Sequence, residues 1–148
     1  MLGELSHDEI ETILSTELLG RIGCSANGVT YIVPVTYAYD AGHIYAYSQE
    51  GMKIQMMRQN PIVCFEVDKM VNMSNWQSVI AWGRFEELKN ADQKMGIQKL
   101  MSRFKSEKTS ETSLPARDVD DPQQSYSSYK PVVYRIKLLE KSGRFEKR

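Results

Sequence analysis

The sequence contains little of what several common kinds of protein site require. Among its 148 residues it has only two histidines, His7 and His43, and these lie far apart. A metal site usually gathers three or four nitrogen, sulphur or oxygen ligands, so no metal site is predicted. It also has only two cysteines, Cys24 and Cys64, each within a strand-like run. We expect both to be free thiols in a reducing cytoplasm rather than a disulfide.

An excess of charge of one sign is also lacking, as are long apolar runs. The 19 basic and 19 acidic residues give a formal net charge of zero. Because neutralising phosphates requires an excess or a patch of basic residues, this balance argues against a nucleic-acid partner. No stretch approaches the roughly 18 consecutive apolar residues that span a bilayer. The N-terminus lacks the basic segment and apolar run of a signal peptide. We therefore expect a cytoplasmic protein without membrane contact.

What the sequence does contain is a regular alternation of strand-like runs. With 41% apolar residues, the chain is long enough for a single domain over residues 1–148 with a substantial core. About six strands are indicated by the pattern. Asn27-Gly28 between two apolar runs predicts a two-residue hairpin, because both turn positions require positive φ. Pro34 cannot donate a ladder hydrogen bond, which predicts a sheet edge or a bulge in the following strand.

Three helices are predicted beside these strands. Ser6 and Glu9 form a capping box ahead of apolar residues at helical spacing, which predicts a helix over 7–16. A short helix is predicted within 51–61, and a longer one over 90–104, where apolar residues share one broad face. Consecutive hairpins require antiparallel pairing. The predicted fold class is therefore mainly β, a six-stranded antiparallel barrel with peripheral helices.

Residues 105–129 interrupt the pattern. Serine, threonine, acidic residues, proline and glutamine dominate this stretch, and Leu114 and Val119 are among its few apolar residues. So few apolar groups cannot offset the entropy of ordering the segment, which is also too long for a plain connection. We expect a mobile loop or a lid over a cleft.

The short helix within GMKIQMMRQNP, residues 51–61, is unexpected between two strands, where a hairpin would suffice. Gly51 frees its start, Pro61 ends it, and Lys53 lies in its first turn. A helix N-terminus already carries partial positive charge, so a lysine there is unfavourable unless an anion binds beside it. From this stretch alone, an anion site and a solvated surface lysine are both open interpretations.

Three stretches of the chain, in this order and spacing, resemble a known family: LGRIGCSANGVTYIVPVTYAYDAGHIYAYS, GMKIQMMRQNPIVCFEVD and NWQSVIAWGRFEEL. It is the pyridoxamine 5'-phosphate oxidase-like family of FMN-binding split barrels, in the branch that includes nitroimidazole-resistance proteins. The resemblance covers roughly residues 8–104, with a weaker match at VVYRIKLLEKSGRFEK. It implies a split antiparallel barrel that forms a homodimer, with FMN in the clefts between the two subunits.

The resemblance also implies positions for a flavin site. The strand that hydrogen-bonds the edge of the flavin ring corresponds to Val35, Thr36 and Tyr37. The strand end that meets the ribityl chain and the phosphate corresponds to Tyr47 and Ser48. The phosphate loop, with its lysine on the phosphate, corresponds to Gly51, Met52 and Lys53. The segment that approaches from the partner subunit corresponds to Trp76, Gln77 and Ser78.

This sequence departs from the family pattern at two of these positions. Met52 stands where some members have a second basic residue, which lowers the expected affinity for phosphate. Tyr47 stands where nitroimidazole-resistance proteins have a histidine beside the flavin, suited to proton transfer. Taken singly, tyrosine and tryptophan are also ordinary strand and core residues. Arg58 and Arg84 are interpreted as solvated or dimer-rim residues.

The resemblance implies an FMN-dependent oxidoreductase acting on a small molecule. The sequence offers no convincing general acid or base for a substrate, so the catalytic residues, substrate and electron donor are undefined. Two alternatives stay open because a fold does not fix a function. One is a non-catalytic protein that carries, stores or senses flavin, and the other is a haem binder on the same fold.

Overall fold

The computed structural model describes residues 1–105 and 131–148. The predicted mobile loop or lid at 105–129 lies outside these residues, apart from Lys105. The described chain forms eight strands and three helices, in the order β1 (Leu2–Glu4), α1 (His7–Thr16), β2 (Leu19–Ala26), β3 (Val29–Thr36), β4 (Ala38–Asp40), β5 (His43–Ser48), α2 (Met52–Gln59), β6 (Ile62–Asn72), β7 (Asn75–Glu87), α3 (Asn90–Phe104) and β8 (Val132–Glu146).

All the strand pairs are antiparallel, in the order β3-β2-β6-β7-β8-β5-β4, with β1 on β8. β3 and β4 lie at opposite ends of that order, yet only Tyr37 separates them along the chain. The two ends of the sheet therefore meet, and the sheet curls into the predicted barrel. Six strands were predicted, and the described residues form eight. The two additional strands, β1 and β4, have three residues each, too few to show an alternation.

The barrel is split beside Tyr37. Ala38 on β4 pairs with Tyr45 on β5, whereas β3 pairs only with β2 among the described strands. Continuing the register of β4 and β5 by two residues brings Thr36 opposite Tyr47. The ends of β3 and β5 therefore face each other without ladder hydrogen bonds. We call this opening, bordered by Val35 and Thr36 on one side and Tyr47 and Ser48 on the other, the seam.

The β2–β3 hairpin determines which backbone groups of β3 face the seam. Asn27 and Gly28 have φ of 53° and 77°, which confirms the predicted two-residue turn. Such a hairpin closes on a hydrogen-bonded pair, after which bonded and non-bonded pairs alternate. By that alternation, Pro34 and Thr36 direct their backbone away from β2. Pro34 therefore loses no ladder bond, as the predicted edge position requires, and the amide and carbonyl of Thr36 point towards the seam.

Two apolar clusters hold the barrel and its helices together. The larger fills the barrel with inward-facing strand residues such as Phe65 and Ile136, and includes Leu14 of α1 and Ile54 of α2. The smaller lies on the outside, where α3 covers β5 and β8, and consists of Ala38, Tyr45, Leu88, Leu100, Phe104 and Val133. All three helices occupy the predicted ranges, and α2 ends just before Asn60-Pro61.

Local sequence signals are also confirmed at α1 and at the cysteines. The hydroxyl of Ser6 accepts from the Glu9 amide at 3.2 Å, and the Glu9 carboxylate accepts from the Ser6 amide at 2.9 Å. Cys24 and Cys64 are both free thiols. Among the described residues, no helix is long and apolar enough to cross a membrane, and no group of three potential metal ligands is found.

Candidate functional site

The predicted phosphate loop connects β5 to α2. The Ser48 hydroxyl donates to the Gln49 carbonyl at 2.9 Å, and the chain then passes through Gly51, the N-cap of α2. No side chain in the described part of the chain caps this helix, and its first turn contains no acidic residue. A Cβ added at Gly51 would meet nothing closer than the Gln49 carbonyl at 4.0 Å. The amide groups at the start of α2 are therefore open to an approaching acceptor.

Lys53 lies in the first turn of α2 and is partly buried. Within residues 1–105 and 131–148, no carboxylate lies within 4.0 Å of its ammonium group. Burial lowers the pKa of Lys53, with a smaller opposing effect from Cys24. A partly buried cation without a partner is costly, and it lies where the helix dipole also disfavours it. An external anion at this point would relieve both costs.

Arg58, interpreted from the sequence as a solvated or dimer-rim residue, lies in the last turn of the same helix and forms ion pairs within the chain. Its Nη1 and Nη2 donate to the two oxygens of Glu50 at 3.0 and 2.6 Å. Its Nε donates to Oε1 of Glu87 at 2.8 Å, and Nη2 lies 2.6 Å from the same oxygen. Arg58 thus joins the residue before Gly51 to the end of β7. Sequence reasoning missed this contact because the partners are 8 and 29 residues away.

The three predicted residues on β3 and after it differ in what they expose. The side chains of Val35 and Tyr37 are buried in the barrel. The Tyr37 hydroxyl donates to the Leu14 carbonyl at 2.9 Å, and its ring packs edge-on against Phe65. Only Thr36 has a partly exposed side chain. At this border of the seam, a ligand would therefore meet mainly the backbone of Thr36.

The opposite border of the seam is formed by Tyr47 and Ser48, both partly exposed. Tyr47 packs against the outer cluster beneath α3. Ser48, the next residue of the strand, points to the other face. Residues 47–48 therefore border the seam opposite residues 35–36, and the loop and α2 with residues 51–53 continue directly from this end of β5.

Trp76, Gln77 and Ser78 lie elsewhere. Across β8, the seam residue Tyr47 lies beside the end of β7, at Glu87. Ser78 and Trp76 lie nine and eleven residues before Glu87 on that strand, about 30 and 36 Å away along it.

Two of these three side chains have partners within the chain. The Trp76 indole donates to Glu146 at 3.1 Å, and the Ser78 hydroxyl donates to Glu66 at 3.3 Å. One chain does not bring residues 76–78 to the seam.

The outer face of the sheet carries a row of small or apolar residues across neighbouring strands. Ile32 is in register with Gly23, then Cys64, then Trp82. Ile32 and Trp82 are 65% and 40% exposed. We call these four residues, with the exposed Ile62, Ile80 and Leu139 around them, the outer apolar row. Exposed apolar patches of this kind are typical of surfaces that bind a partner.

A model of the family described as pyridoxamine 5'-phosphate oxidase matches residues 6–145. The chain belongs to this family. The family that the three sequence stretches indicated is thereby confirmed. In addition, an uncharacterised protein of Rhizobium meliloti is 34% identical over 84 residues, which cover 57% of this chain and 56% of the relative. That match spans little more than half the length of the relative.

Solved structures of the same fold include two that are informative for this member of the pyridoxamine 5'-phosphate oxidase family. A FAD-binding protein from Mesorhizobium loti is 30% identical, with a TM-score of 0.79 over 100% of this chain and 98% of that one. A putative 5-nitroimidazole antibiotic resistance protein from Bacteroides thetaiotaomicron has a TM-score of 0.73 over 98% of this chain and 87% of that one. The second is only 16% identical, so its likeness concerns the fold alone.

Proposed function

We propose that this protein binds a flavin at the seam, with a phosphate of the flavin at the N-terminus of α2 and on Lys53. The observation that carries the proposal is the partly buried Lys53, which no described carboxylate neutralises and which lies beside uncapped helix amides. Membership of the family and the likeness to a FAD-binding protein support a flavin as the anion.

Among flavins we propose FMN. Its terminal phosphate carries between one and two negative charges at neutral pH, whereas each phosphate of FAD has one ester bond and one anhydride bond and carries one. A single lysine and a helix N-terminus, with the neutral Met52 between Gly51 and Lys53, therefore gain more from FMN. The amide and carbonyl of Thr36, which point away from β2, match the alternating donors and acceptors at the edge of a flavin ring.

We further propose that the functional unit is a homodimer. The outer apolar row offers a surface for a second copy, and a two-fold arrangement would bury the same patch on both chains. Trp76, Gln77 and Ser78 lie too far along β7 to reach the seam of their own chain. In a dimer they can reach the seam of the partner, which completes the proposed cofactor site of Val35, Thr36, Tyr37, Tyr47, Ser48, Gly51, Met52 and Lys53.

The activity we propose is that of a flavin-dependent oxidoreductase acting on a small molecule in the dimer cleft, within one domain of 1–148. The flavin supplies the redox chemistry, and this chain binds and orients it. Tyr47 favours a second candidate, a flavin-binding protein without its own turnover. A phenol is a poorer proton donor and acceptor at neutral pH than an imidazole.

The first experiment is to purify the protein and identify any bound cofactor. We expect a yellow protein with flavin absorbance, and FMN as the species released on denaturation, by mass spectrometry. A released haem, or no affinity for added FMN, FAD or riboflavin, would overturn the proposal. Release of FAD would overturn only the choice of FMN among flavins, and the proposal of a flavin site would stand. Reduction of the bound flavin by NADH or NADPH, with turnover on added acceptors, separates an oxidoreductase from a flavin carrier.

A further inference from the structure

The direction taken by the Glu50 side chain is unexpected. Glu50 precedes Gly51, so its carboxylate starts beside the N-terminus of α2 and three residues from Lys53. Helix dipole and lysine would both attract a carboxylate there. Instead, Glu50 pairs with Arg58 at the other end of the helix, with contacts of 3.0 and 2.6 Å.

The Arg58 contacts have the geometry of a strong pair. Exposed ion pairs between flexible side chains usually contribute little, but two parallel bonds from one guanidinium to one carboxylate are the exception. Glu87 fixes Arg58 from the end of β7 through Nε and Nη2. The last turn of a helix also favours a cation. Arg58 is therefore oriented by Glu87 on one side while it binds Glu50 on the other.

The consequence concerns competition for the anion site. A carboxylate tethered next to Gly51 has a high effective concentration at the start of α2. If it were not held elsewhere, it could pair with Lys53 and satisfy the uncapped amides itself. A phosphate from solution would then have to displace it. Along α2, Lys53 and Arg58 are five residues apart, about 7.5 Å in rise, so Glu50 cannot serve both cations equally.

We propose that Arg58 is a positioning residue that holds the Glu50 carboxylate away from the anion site, so that Lys53 and the start of α2 receive the phosphate of the ligand. This inference rests on the proposed function. It assigns the Arg58–Glu50–Glu87 cluster a role in affinity for phosphate, rather than only in tethering residues 49–51 to the barrel.

The two roles make opposite predictions for one double variant. If Arg58 only tethers the loop, Arg58→Met loosens it, and removing the charge of Glu50 as well brings no recovery. If Arg58 restrains a competing carboxylate, Arg58→Met exposes the competitor, and adding Glu50→Gln removes it. Recovery of FMN affinity in Arg58→Met/Glu50→Gln is therefore the readout that a purely structural role would not produce.

The test is a titration of wild type and variants with FMN and with riboflavin, which lacks the phosphate, followed by quenching of flavin fluorescence. We expect Arg58→Met to bind FMN about tenfold more weakly, because the released Glu50 carboxylate would compete with the phosphate near the helix N-terminus. The affinity for riboflavin should be unchanged. The double variant should return to within about threefold of wild type, and Glu50→Gln alone should equal or exceed wild type. Arg58→Lys keeps the positive charge but cannot form the two parallel hydrogen bonds to Glu50, so its FMN affinity should be intermediate. It replaces Arg58→Met in the test if that variant does not fold.

The outcomes separate this inference from the proposed function. If wild type binds FMN no better than riboflavin, or if Lys53→Met leaves the FMN affinity unchanged, both are overturned. If wild type and Lys53→Met behave as expected but Arg58→Met and Arg58→Lys bind FMN like wild type, this inference alone is overturned. A double variant that stays as weak as Arg58→Met also overturns it. Urea unfolding of each ligand-free variant checks that the fold is retained.

Discussion

Replacing Lys53 by methionine tests the proposed anion site most directly, because methionine keeps an aliphatic stem and removes the ammonium. A hydrogen bond to a charged group contributes about 1.5–3 kcal/mol. Lys53 is already partly desolvated in the ligand-free protein, as its lowered pKa indicates. Folding has therefore met part of the dehydration cost, and the loss on binding should fall in the upper half of that range. About 2.3–3 kcal/mol corresponds to roughly a 40- to 140-fold weaker FMN affinity.

The same change should affect the ligand-free protein in the opposite direction. Removing a partly buried cation without a described partner relieves an electrostatic cost. We expect the unfolding free energy of ligand-free Lys53→Met to equal or exceed that of wild type by up to about 1 kcal/mol. A variant that is at least as stable but binds FMN weakly would identify Lys53 as a binding residue rather than a structural one.

The assay compares FMN with riboflavin in wild type, Lys53→Met and Lys94→Met. Lys94 is an exposed lysine of α3 and serves as the matched control. Riboflavin should bind all three proteins equally. The FMN affinity of wild type should also fall on the alkaline side at a lower pH than an ordinary lysine predicts, because burial lowers the pKa of Lys53 and it loses its proton sooner. That fall should be absent in Lys53→Met.

Two results would refute this reasoning. Unchanged FMN affinity in Lys53→Met would mean that Lys53 is solvated in the complex and that the phosphate binds elsewhere. Equal losses for FMN and riboflavin would mean that the substitution distorts the seam and that no phosphate contact has been removed.

Three further predictions concern the outer apolar row, Tyr47 at the seam and the partly buried carboxyl of Glu66. Trp82→Glu places a charge in the outer apolar row and should convert a dimer to a monomer in light scattering, with loss of flavin affinity; a wild type that is already monomeric contradicts this. Tyr47→His should retain FMN and raise a weak or absent nitroimidazole reduction, whereas high wild-type turnover that the histidine leaves unchanged or lowers would refute the role given to Tyr47. Burial, together with Asp68, raises the pKa of Glu66, so the folded state binds the proton more tightly than the unfolded state. Wild type therefore loses stability as the pH rises from the pKa of Glu66 in the unfolded state to its pKa in the folded state. Glu66→Gln should therefore stabilise the protein at pH 7 more than at about pH 4 in urea unfolding, and an equal effect at both pH values would count against it.

The parts of the fold that sequence alone predicted are those decided by neighbours along the chain. Asn27-Gly28 specifies its turn through two residues that tolerate positive φ. Ser6 and Glu9 cap α1 from three residues apart, and Pro61 ends α2 through its own ring. The sequence alone also indicated the family, because the three stretches that carry the resemblance keep their order and spacing along the chain.

The rest depended on contacts between residues distant in sequence. β1 has three residues and is a strand because it pairs with the last residues of β8, more than a hundred residues later. The role of Arg58 depends on Glu50 and Glu87, which no helical or strand spacing connects to it. The two interpretations of Lys53 differ only in burial and in the distance to the nearest carboxylate, and neither quantity exists before the chain folds. Sequence could therefore predict that an anion site was possible at α2. Only the tertiary structure decided that Lys53 is partly buried without a described carboxylate partner. Folding brought distant parts of the chain around Lys53, and it turned the carboxylate of Glu50, three residues away in sequence, towards Arg58.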